Sequence, residues 1–591
     1  MSAPRVTYAE RELSNYILNN GTINVGYVLP TKKGKRNTPM FVSDGDAFLR
    51  MFTPNDTLEV GMSSAHFSVL KLLTKAGVWL VSPKAAHSTY AGYRVESNDP
   101  YDGVDIENLS DFELGNESFT ILSANEGDWG NNLSISIMGY KEAEPVNVDT
   151  NGSFTTIQHW GDGYPVKVFL NGIESTFNED STYFIYNDNG KTHLSSSQSD
   201  LANSILTVST PQLIQIVPAI EYTKIPNTMC LRVHTGHNHT VKRTYIISKK
   251  PIKDDDSNSL FLTDVINDEE YITVINNPMI TETYVEDIVF PVELKGGYDG
   301  DAITTGDMIR ALKTLSNKNS IKITMIGDGG YTSQAYQLAI AELCEQRGDC
   351  VGFLSVPLSV QNNPDTAAQN IVNLRKFTLG YNTSWAALYA PHQVIYDEYN
   401  DRNVKIAPDC FAIGAVIDTA SNYEAWYPAA GVNRGIINSM DCCVRFTDRD
   451  QDLLYDAGIN PIVFDPERGI KIWGQKTLRT IPSMTDRLNV RMLLVTIAPA
   501  ITSFLETFLF EFNDELTDSR IVTLIESYMD GIKGRRGVLN YKVLTNRTTA
   551  SDVDNHIKRV DLLICPNSSI EYIPFTIGIA NNQISFDTVT L

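Results

Sequence analysis

The spacing of apolar positions divides the chain into segments of different type. In 25–95, the short buried runs NVGYVLP and VWLVS alternate with the helical stretches GDAFLRMF and MSSAHFSVLKLLTKAG. The same order returns in 291–425, where IKITMIGDG and CVGFLSVP flank the helix TSQAYQLAIAELCEQRG. Strand–helix–strand order predicts parallel strands joined by right-handed crossovers. We therefore predict a discontinuous α/β core built from 25–95 and 291–425.

The intervening segment, 96–290, has a different pattern. It is rich in Asn, Ser, Thr, Asp and Gly, with alternating runs such as NLSISIMGY, VKVFLNG, STYFIYND and YITVIN. Turn signals such as YNDNG and TGHNH recur between these runs. Short alternating runs separated by turns predict antiparallel β structure. We predict one or two β-rich domains that are inserted in the α/β core and protrude into solvent.

The segment 426–569 mixes helices and strands. LNVRMLLVTIAPAITSFLETFLFEF predicts a long helix bent at Pro499, and a second helix is predicted over about 518–532. GRRGVLNYKVLTN and RVDLLICP are predicted strands. The segment contains no catalytic constellation, which indicates an α+β assembly domain. The predicted class is thus α/β and α+β multidomain.

Both ends of the chain are predicted to be extended arms, 1–24 and 570–591. The C-terminal arm, IEYIPFTIGIANNQISFDTVTL, alternates like a strand, and Pro574 favours an edge position. Two alternatives stay open: a hairpin on its own domain, or a strand donated to the sheet of a neighbouring subunit. The apolar arm positions are Val6, Tyr8, Leu13 and Ile17 in the first arm and Ile573, Phe575, Ile577, Ile584 and Phe586 in the second.

The charge distribution favours a protein partner over nucleic acid. The 591 residues carry a net charge of −23, which repels phosphate backbones. Residues 430–591 hold 17 Lys and Arg against 20 Asp and Glu, and the preceding residues hold 31 against 51. The acidic part is expected to be solvated, and the nearly balanced part to meet partners.

The cysteines and the apolar runs indicate the cellular compartment in which the protein is expected to be made. The seven cysteines lack CxxC spacing, so we expect free, mostly buried thiols and synthesis in a reducing cytoplasm. MSAPRVTYAEREL has no apolar core, so no signal peptide is expected. The run 492–510 is interrupted by Pro499 and Glu506, and we therefore expect no membrane insertion.

Two glycine-rich turns are candidate phosphate loops. GGYDGDAITTGD (296–307) lacks the GxxxxGK[ST] pattern, and GDGG (327–330) lacks GxGxxG. Asp299, Asp301 and Asp328 would repel a phosphate. Plain strand-to-helix turns are favoured, and we predict no nucleotide, no other cofactor and no catalytic residue.

Three histidines and two acidic clusters are candidate metal or acid–base sites. His234, His237 and His239 are close in sequence and could bind zinc. The only other potential metal ligand near them in the sequence is Cys230. DRDQD (448–452) lacks the glycine and terminal glutamate of a calcium loop. FNDELTD (512–518) is better explained as a helix start, where acidic side chains are favoured. We predict no metal site.

Five basic residues stand out in the acidic chain. They lie at the ends of the predicted C-terminal helices, where they suit either helix capping or contact with an acidic partner. These residues are Arg487, Arg491, Lys533, Arg535 and Arg536.

Several segments resemble, in the right order, the contractile tail sheath protein of myovirus-type bacteriophages. SAPRVTYAERELS is similar to its N-terminal arm, GDWGNNLSISI to the opening of its inserted domain, and LKGGYDGD to a glycine-rich turn before its central part. Five further segments of this chain resemble the C-terminal domain of that family: WYPAAGVNRGII, INPIVFDPERGIKIWGQKTL, RLNVRMLLVTIAPAI, FEFNDELT and RRGVLNYKVL.

This resemblance implies a structural role in the virion. Sheath subunits stack as hexameric rings in a helical polymer around a tail tube, and their arms pair with sheets of neighbouring subunits. Contraction, triggered by the baseplate, drives the tube through the host envelope. The implied partners are other copies of the chain, the tail tube, and baseplate and neck or tail-terminator proteins. The five basic residues become candidates for tube contact.

Two alternatives remain beside the phage sheath. One is the sheath of a related contractile injection particle. The other, from a different class, is a nucleotide-binding α/β enzyme that uses the turns at 296–301 or 327–330.

Overall fold

A computed structural model describes residues 23–574, apart from 98, 101–107, 171–172, 175–181, 189, 208–210, 220–224, 237, 267–269 and 282–284. The chain divides into two compact units. The first comprises 27–317 and 397–402, and the second comprises 1–26, 318–396 and 403–591. The boundary between them falls within the first strand, β1 (Val25–Val28).

The first unit contains sixteen further strands and four helices among its described residues. The helices are α1 (Gly45–Phe52), α2 (Ser64–Leu73), α3 (Leu262–Val265) and α4 (Thr305–Lys313). The strands are β2 (Met40–Val42), β3 (Val78–Val81), β4 (Gly92–Val95), β5 (Phe119–Ser123), β6 (Leu133–Gly139), β7 (Glu144–Val148), β8 (Ser153–Phe154), β9 (Pro165–Leu170), β10 (Ile173–Glu174), β11 (Tyr183–Asp188), β12 (Lys191–Ser195), β13 (Gln212–Pro218), β14 (Met229–Thr235), β15 (Thr240–Ile247), β16 (Ile272–Asn276) and β17 (Ile288–Glu293).

Antiparallel sheets dominate the first unit. One has the order β7-β13-β9-β11-β12-β8, with β10 beside β9. A second has the order β15-β14-β6-β17, and a third the order β16-β5-β4. Neighbouring strands in these sheets run antiparallel, for example with Leu231 of β14 opposite Ile137 of β6. The predicted antiparallel β structure of 96–290 is therefore confirmed, and the boundaries and number of inserted domains stay predictions.

The second unit contains ten strands and eight helices among its described residues. The strands are β18 (Met325–Gly327), β19 (Val351–Ser355), β20 (Ala386–Ala390), β21 (Gln393–Asp397), β22 (Arg402–Ile406), β23 (Asp441–Cys442), β24 (Ile459–Asp465), β25 (Gly469–Ile472), β26 (Val538–Leu544) and β27 (Asp561–Pro566). The helices are α5 (Gln334–Arg347), α6 (Pro364–Phe377), α7 (Asp409–Asn422), α8 (Gly431–Arg434), α9 (Asp448–Asp456), α10 (Leu488–Glu506), α11 (Glu515–Gly534) and α12 (Ala550–Asp554).

A parallel sheet forms the centre of the second unit. β18, β19, β20 and β24 are parallel neighbours, and β25 adds an antiparallel edge. Val25 of β1 pairs in parallel with Met325 of β18. The predicted parallel strand–helix–strand order is confirmed here. One face of α5 is buried, and it is formed by Tyr336, Ile340, Leu343 and Arg347.

The C-terminal helices differ from their predicted limits. α10 ends at Glu506 and is followed by turns, although the apolar pattern continues to Phe512. α11 begins at Glu515 because Asp514 caps it, accepting a hydrogen bond from the Thr517 amide at 2.8 Å. The chain is thus of mixed α/β class with several sheets, as predicted, while its discontinuous arrangement stays a prediction.

Within the described residues, α10 has the length and apolar composition of a membrane-crossing helix. Half of its most apolar window is buried inside the protein. A core helix meets the same two criteria, so they do not identify a membrane span.

Candidate assembly surface

Two helices and a hairpin share one core at the C-terminal end of the second unit. α10 and α11 pack with β26 and β27 around buried apolar side chains. Met529 has no exposed surface, and Ile525 and Ile532 are each 1% exposed. The buried members of this core are Trp426, Leu493, Ile497, Ile521, Ile525, Met529, Ile532, Val538 and Val543. This core fixes the position of the hairpin.

The hairpin is a two-stranded sheet in the part of the chain that the structure describes. Its strands run antiparallel, with Asn540 opposite Cys565 and Leu544 opposite Asp561. Leu539 and Leu563 are about half exposed, at 57% and 51%. A two-stranded sheet leaves both edges unpaired, and such edges can accept further strands.

In the segment that follows the hairpin, the carboxylate of Glu571 accepts several hydrogen bonds from the rest of the unit. Arg487 donates from Nε to Glu571 Oε1 at 2.7 Å and from Nη2 to Oε2 at 2.9 Å. The Tyr455 hydroxyl donates to Oε2 at 2.8 Å, and Gln475 Nε2 donates to Oε1 at 3.0 Å. We call these four residues the Glu571 cluster. All of its hydrogen bonds join residues far apart in sequence.

The electrostatics of the Glu571 cluster favour the ionised carboxylate. Partial burial alone would raise the pKa of Glu571, but the hydrogen bonds from Arg487, Tyr455 and Gln475 outweigh it and hold that pKa below its ordinary value. Burial raises the pKa of the Tyr455 phenol, and the Glu571 charge adds to this effect. Glu571 therefore accepts these bonds as a carboxylate at neutral pH.

The GDGG turn is filled by side chains of the same unit. Asp328 accepts hydrogen bonds from the Gly330 amide at 3.0 Å, the Ser355 amide at 2.7 Å and Gln337 Nε2 at 2.8 Å. The Gly329 amide donates to Asp409 at 2.9 Å. These amides would have to bind the phosphates in a nucleotide site, and two buried carboxylates already occupy them.

The second glycine-rich turn is fixed by backbone packing. The Gly297 amide donates to Asn131 Oδ1 at 2.9 Å, and Asn131 Nδ2 donates back to the Gly297 carbonyl at 2.8 Å. A Cβ atom at Gly297 would lie 2.4 Å from the Gly127 carbonyl oxygen. Close contact between two backbone segments therefore explains this glycine.

The histidine and acidic candidates have structural partners. His234 pairs through Nε2 with the Ser136 hydroxyl at 2.9 Å, and His239 pairs through Nδ1 with the Ser134 hydroxyl at 2.8 Å. His237 lies outside the described residues. Asp450 belongs to the capping box of α9. Among the described residues, no three His, Cys, Asp or Glu side chains are grouped so that they could hold a metal ion.

The cysteines are free thiols, as expected. Five of the seven are buried, Cys443 is intermediate and Cys565 is exposed.

Residues 301–478 match the family model described as the phage tail sheath protein central domain. This segment is therefore similar to the central domain of phage tail sheath proteins. The match begins at the end of the motif LKGGYDGD and ends with the motif INPIVFDPERGIKIWGQKTL. The resemblance to contractile tail sheath proteins is confirmed.

Curated sheath relatives extend this similarity. The chain is 30% identical over 318 residues to the tail sheath protein of Enterobacteria phage T4, covering 50% of this chain and 48% of that protein. It is 28% identical over 374 residues to the tail sheath protein of Vibrio phage KVP40, covering 58% of this chain and 54% of that protein. The chain spans about half the length of these curated relatives.

A solved structure supports the sheath fold. The crystal structure of a sheath tail protein from Listeria innocua aligns with a TM-score of 0.52, covering 92% of this chain and 95% of that chain. The two chains are 10% identical, so the comparison shows a shared fold and no more.

The predicted arm residues lie mostly outside the described part of the chain. Val6, Tyr8, Leu13 and Ile17 fall within 1–22, and Phe575, Ile577, Ile584 and Phe586 fall within 575–591. Ile573 is described, and its side chain is 75% exposed. Ile573 lies in the segment 567–574, which forms no strand.

The five basic candidates differ in their surroundings. Arg487 belongs to the Glu571 cluster. Arg491 is 8% exposed, lies 4.0 Å from the Trp385 ring centroid and donates to the Ser384 hydroxyl. Burial lowers the pKa of Arg491 to about 10. Both guanidinium groups therefore have structural partners, and Arg491 is not at the surface of the described chain.

The other three basic candidates lie at the C-terminal end of α11. Lys533 and Arg536 are exposed, and Arg535 forms an ion pair with Glu424 at 2.9 Å. Sequence reasoning missed Glu571 and its partners Tyr455 and Gln475. The signal available in the sequence was the carboxylate of Glu571, which stands at the start of an alternating apolar tail. Its hydrogen-bond partners could not be found in the same way, because they lie 84 to 116 residues away in the sequence.

Proposed function

We propose that the chain is a structural subunit of a contractile phage tail sheath. It polymerises as stacked hexameric rings around a tail tube, and contraction drives the tube through the host envelope. The subunit is made in the host cytoplasm and acts in the virion, with no enzymatic step. The family match of 301–478 supports this proposal, and the observation that carries it is the open two-stranded sheet β26–β27 beside an alternating tail.

Strand donation explains both features together. Among the described residues β26 and β27 pair only with each other, and their outer edges would offer backbone donors and acceptors to an extended segment. The residues Ile573, Phe575 and Ile577 alternate with polar or small ones, so one face of a donated strand would be apolar. The tail of one subunit then completes the hairpin sheet of the next.

The local alternative, a tail folded on its own domain, has less support. Ile570, Tyr572 and Ile573 are 80%, 84% and 75% exposed in the described chain. A tail that folded back on its own core would be expected to bury these apolar groups as it approached the core. Their exposure favours a neighbouring subunit as the acceptor.

Tube contact is assigned to the end of α11. Lys533 and Arg536 form an exposed basic group near a helix C-terminus, where cations are also stabilised by the helix dipole. Such a group suits an acidic tube surface. Arg487, Arg491 and Arg535 are weaker candidates because their guanidinium groups already have intramolecular partners.

The remaining partners follow from the same role. Baseplate and neck or tail-terminator proteins would contact the two ends of the polymer. The sheath of a related contractile injection particle is the second candidate and shares every step of this proposal except the particle that carries it.

Two single substitutions test strand donation. Ile577→Asp places a charge on the apolar face of the tail, and Thr576→Asp places the same charge on the opposite face. We expect the first to abolish sedimentable polymer and the second to retain it, because one face packs on the acceptor. Equal polymerisation of both variants, at wild-type level, contradicts donation of this strand.

A further inference from the structure

The base of the C-terminal tail is attached to its own subunit mainly through polar contacts. Between Asn567 and Pro574 the chain has no regular secondary structure, and Ile570, Tyr572 and Ile573 are largely exposed. Glu571 is the exception, because its carboxylate accepts four hydrogen bonds of 2.7 to 3.0 Å. Apolar burial therefore does not hold this segment in place.

The partners of Glu571 come from three separate elements. Tyr455 lies in α9, Gln475 follows β25, and Arg487 is the residue before α10. Gln475 also donates to the hydroxyl of Ser569, two residues before Glu571. A force applied to the tail would thus be distributed over the edge of the parallel sheet and two helices.

The pairing between Arg487 and Glu571 has the geometry of a strong contact. Two parallel N–H groups meet the two carboxylate oxygens, and such bidentate pairs are among the strongest polar contacts in proteins. The side chains are about one-third exposed, at 30% for Arg487 and 27% for Glu571. The pair is therefore only partly screened by solvent.

We propose that Glu571 is a positioning residue that fixes where the C-terminal arm leaves its own subunit. This inference rests on the proposed strand-donating tail. The Glu571 cluster sets the direction in which the tail points to the next subunit. It also connects the donated strand to the core of the donor, so that tension between subunits passes through Arg487, Tyr455 and Gln475.

The first test measures the anchor in the unassembled chain. Chymotrypsin cleavage after the exposed Tyr572 reports how often the segment lifts from the core. We expect Glu571→Ala to accelerate this cleavage by about tenfold, the loss of roughly one charge-assisted contact. Glu511→Ala, an exposed acidic residue of the same unit, is the matched control and should cleave at the wild-type rate.

The second test measures the anchor in the polymer. We expect Glu571→Ala polymers to dissociate at lower urea concentration than wild type, while the unassembled variant keeps its unfolding midpoint. The charge swap Arg487→Glu with Glu571→Arg should recover part of the loss. Tyr455→Phe, which removes one hydroxyl, gives a milder variant that retains the fold.

The two proposals fail in different ways. If the wild-type chain forms no polymer, the sheath function fails, and the cleavage rates still decide whether Glu571 anchors the segment. If the wild type polymerises, but Glu571→Ala matches Glu511→Ala in both cleavage and urea resistance, the anchor is overturned.

Discussion

Arg487 and Glu571 form a two-bonded ion pair across 84 residues of sequence. The guanidinium belongs to the residue before α10, and the carboxylate lies at the base of the C-terminal tail. The pair joins the helix that contributes to the C-terminal core to the base of the C-terminal tail. It also explains why Arg487, which the sequence offers as a tube contact, has a structural partner.

The first prediction separates structural from contact arginines. Arg491→Ala should lower the free energy of unfolding by about 2–4 kcal/mol, because it removes a buried guanidinium stacked on Trp385 and leaves the Ser384 hydroxyl unpaired. Lys533→Ala should leave stability unchanged and weaken binding to purified tube protein. Urea unfolding and co-sedimentation with tubes measure the two effects. Unchanged stability of Arg491→Ala would contradict its assignment to the core.

The second prediction concerns the core under the hairpin. Met529→Ala should lower the free energy of unfolding by about 2–5 kcal/mol, because it leaves a cavity at a fully buried position. Leu516→Ala, at a position of the same helix that is 60% exposed, should change it by less than about 0.5 kcal/mol. Denaturant unfolding of the unassembled chain compares the two. Equal effects would mean that α11 does not pack through this face.

The third prediction concerns the turn at Gly297. Gly297→Ala should cost about 1–3 kcal/mol because its Cβ would collide with the Gly127 carbonyl oxygen. Gly306→Ala is the matched control, since its Cβ meets nothing closer than 3.5 Å. Thermal unfolding in the presence and absence of nucleotides checks the result. Nucleotide-dependent stabilisation of wild type that Gly297→Ala abolishes would support the enzyme alternative instead.

The fourth prediction is a pH dependence that originates at Lys33. Burial lowers the pKa of this ammonium group to about 8 from 10.5, although Asp56 and Glu270 oppose the shift. Between these two pH values the unfolded chain binds the proton more tightly, so stability should rise as pH increases. Relative to Lys33→Met, the wild type should gain on the order of 3 kcal/mol over this interval. If the free energy of unfolding changed with pH by the same amount in both proteins, the lowered pKa of Lys33 would be refuted.

The sequence predicted local structure well where pattern and packing agree. The α5 face, the parallel order of β18 and β19 and the antiparallel segment 96–290 all follow from periodicity that burial then satisfies. The predicted end of α10 was wrong, because the apolar pattern continues beyond Glu506, where the helix ends. Phe510 has a φ of +71°, a left-handed backbone conformation that no helix adopts.

The candidate site could be predicted only in part. The alternating tail and the hairpin strands are local patterns, so they could be identified from the sequence. The Glu571 cluster could not, because its partners come from three elements whose proximity depends on the complete fold. Arg491 looks like a surface cation in sequence, and only the structure reveals its position against Trp385.

Negative-stain electron microscopy of the purified chain, compared with a chain that ends at Pro574, tests the central claim most directly. The shorter chain keeps Glu571 and its partners but lacks the proposed donated strand. We predict long striated tubes or stacked sixfold rings for the full chain, and folded, unassembled particles for the shorter one. Normal tubes from the chain that ends at Pro574, or no ordered polymer from the full chain, would contradict the account.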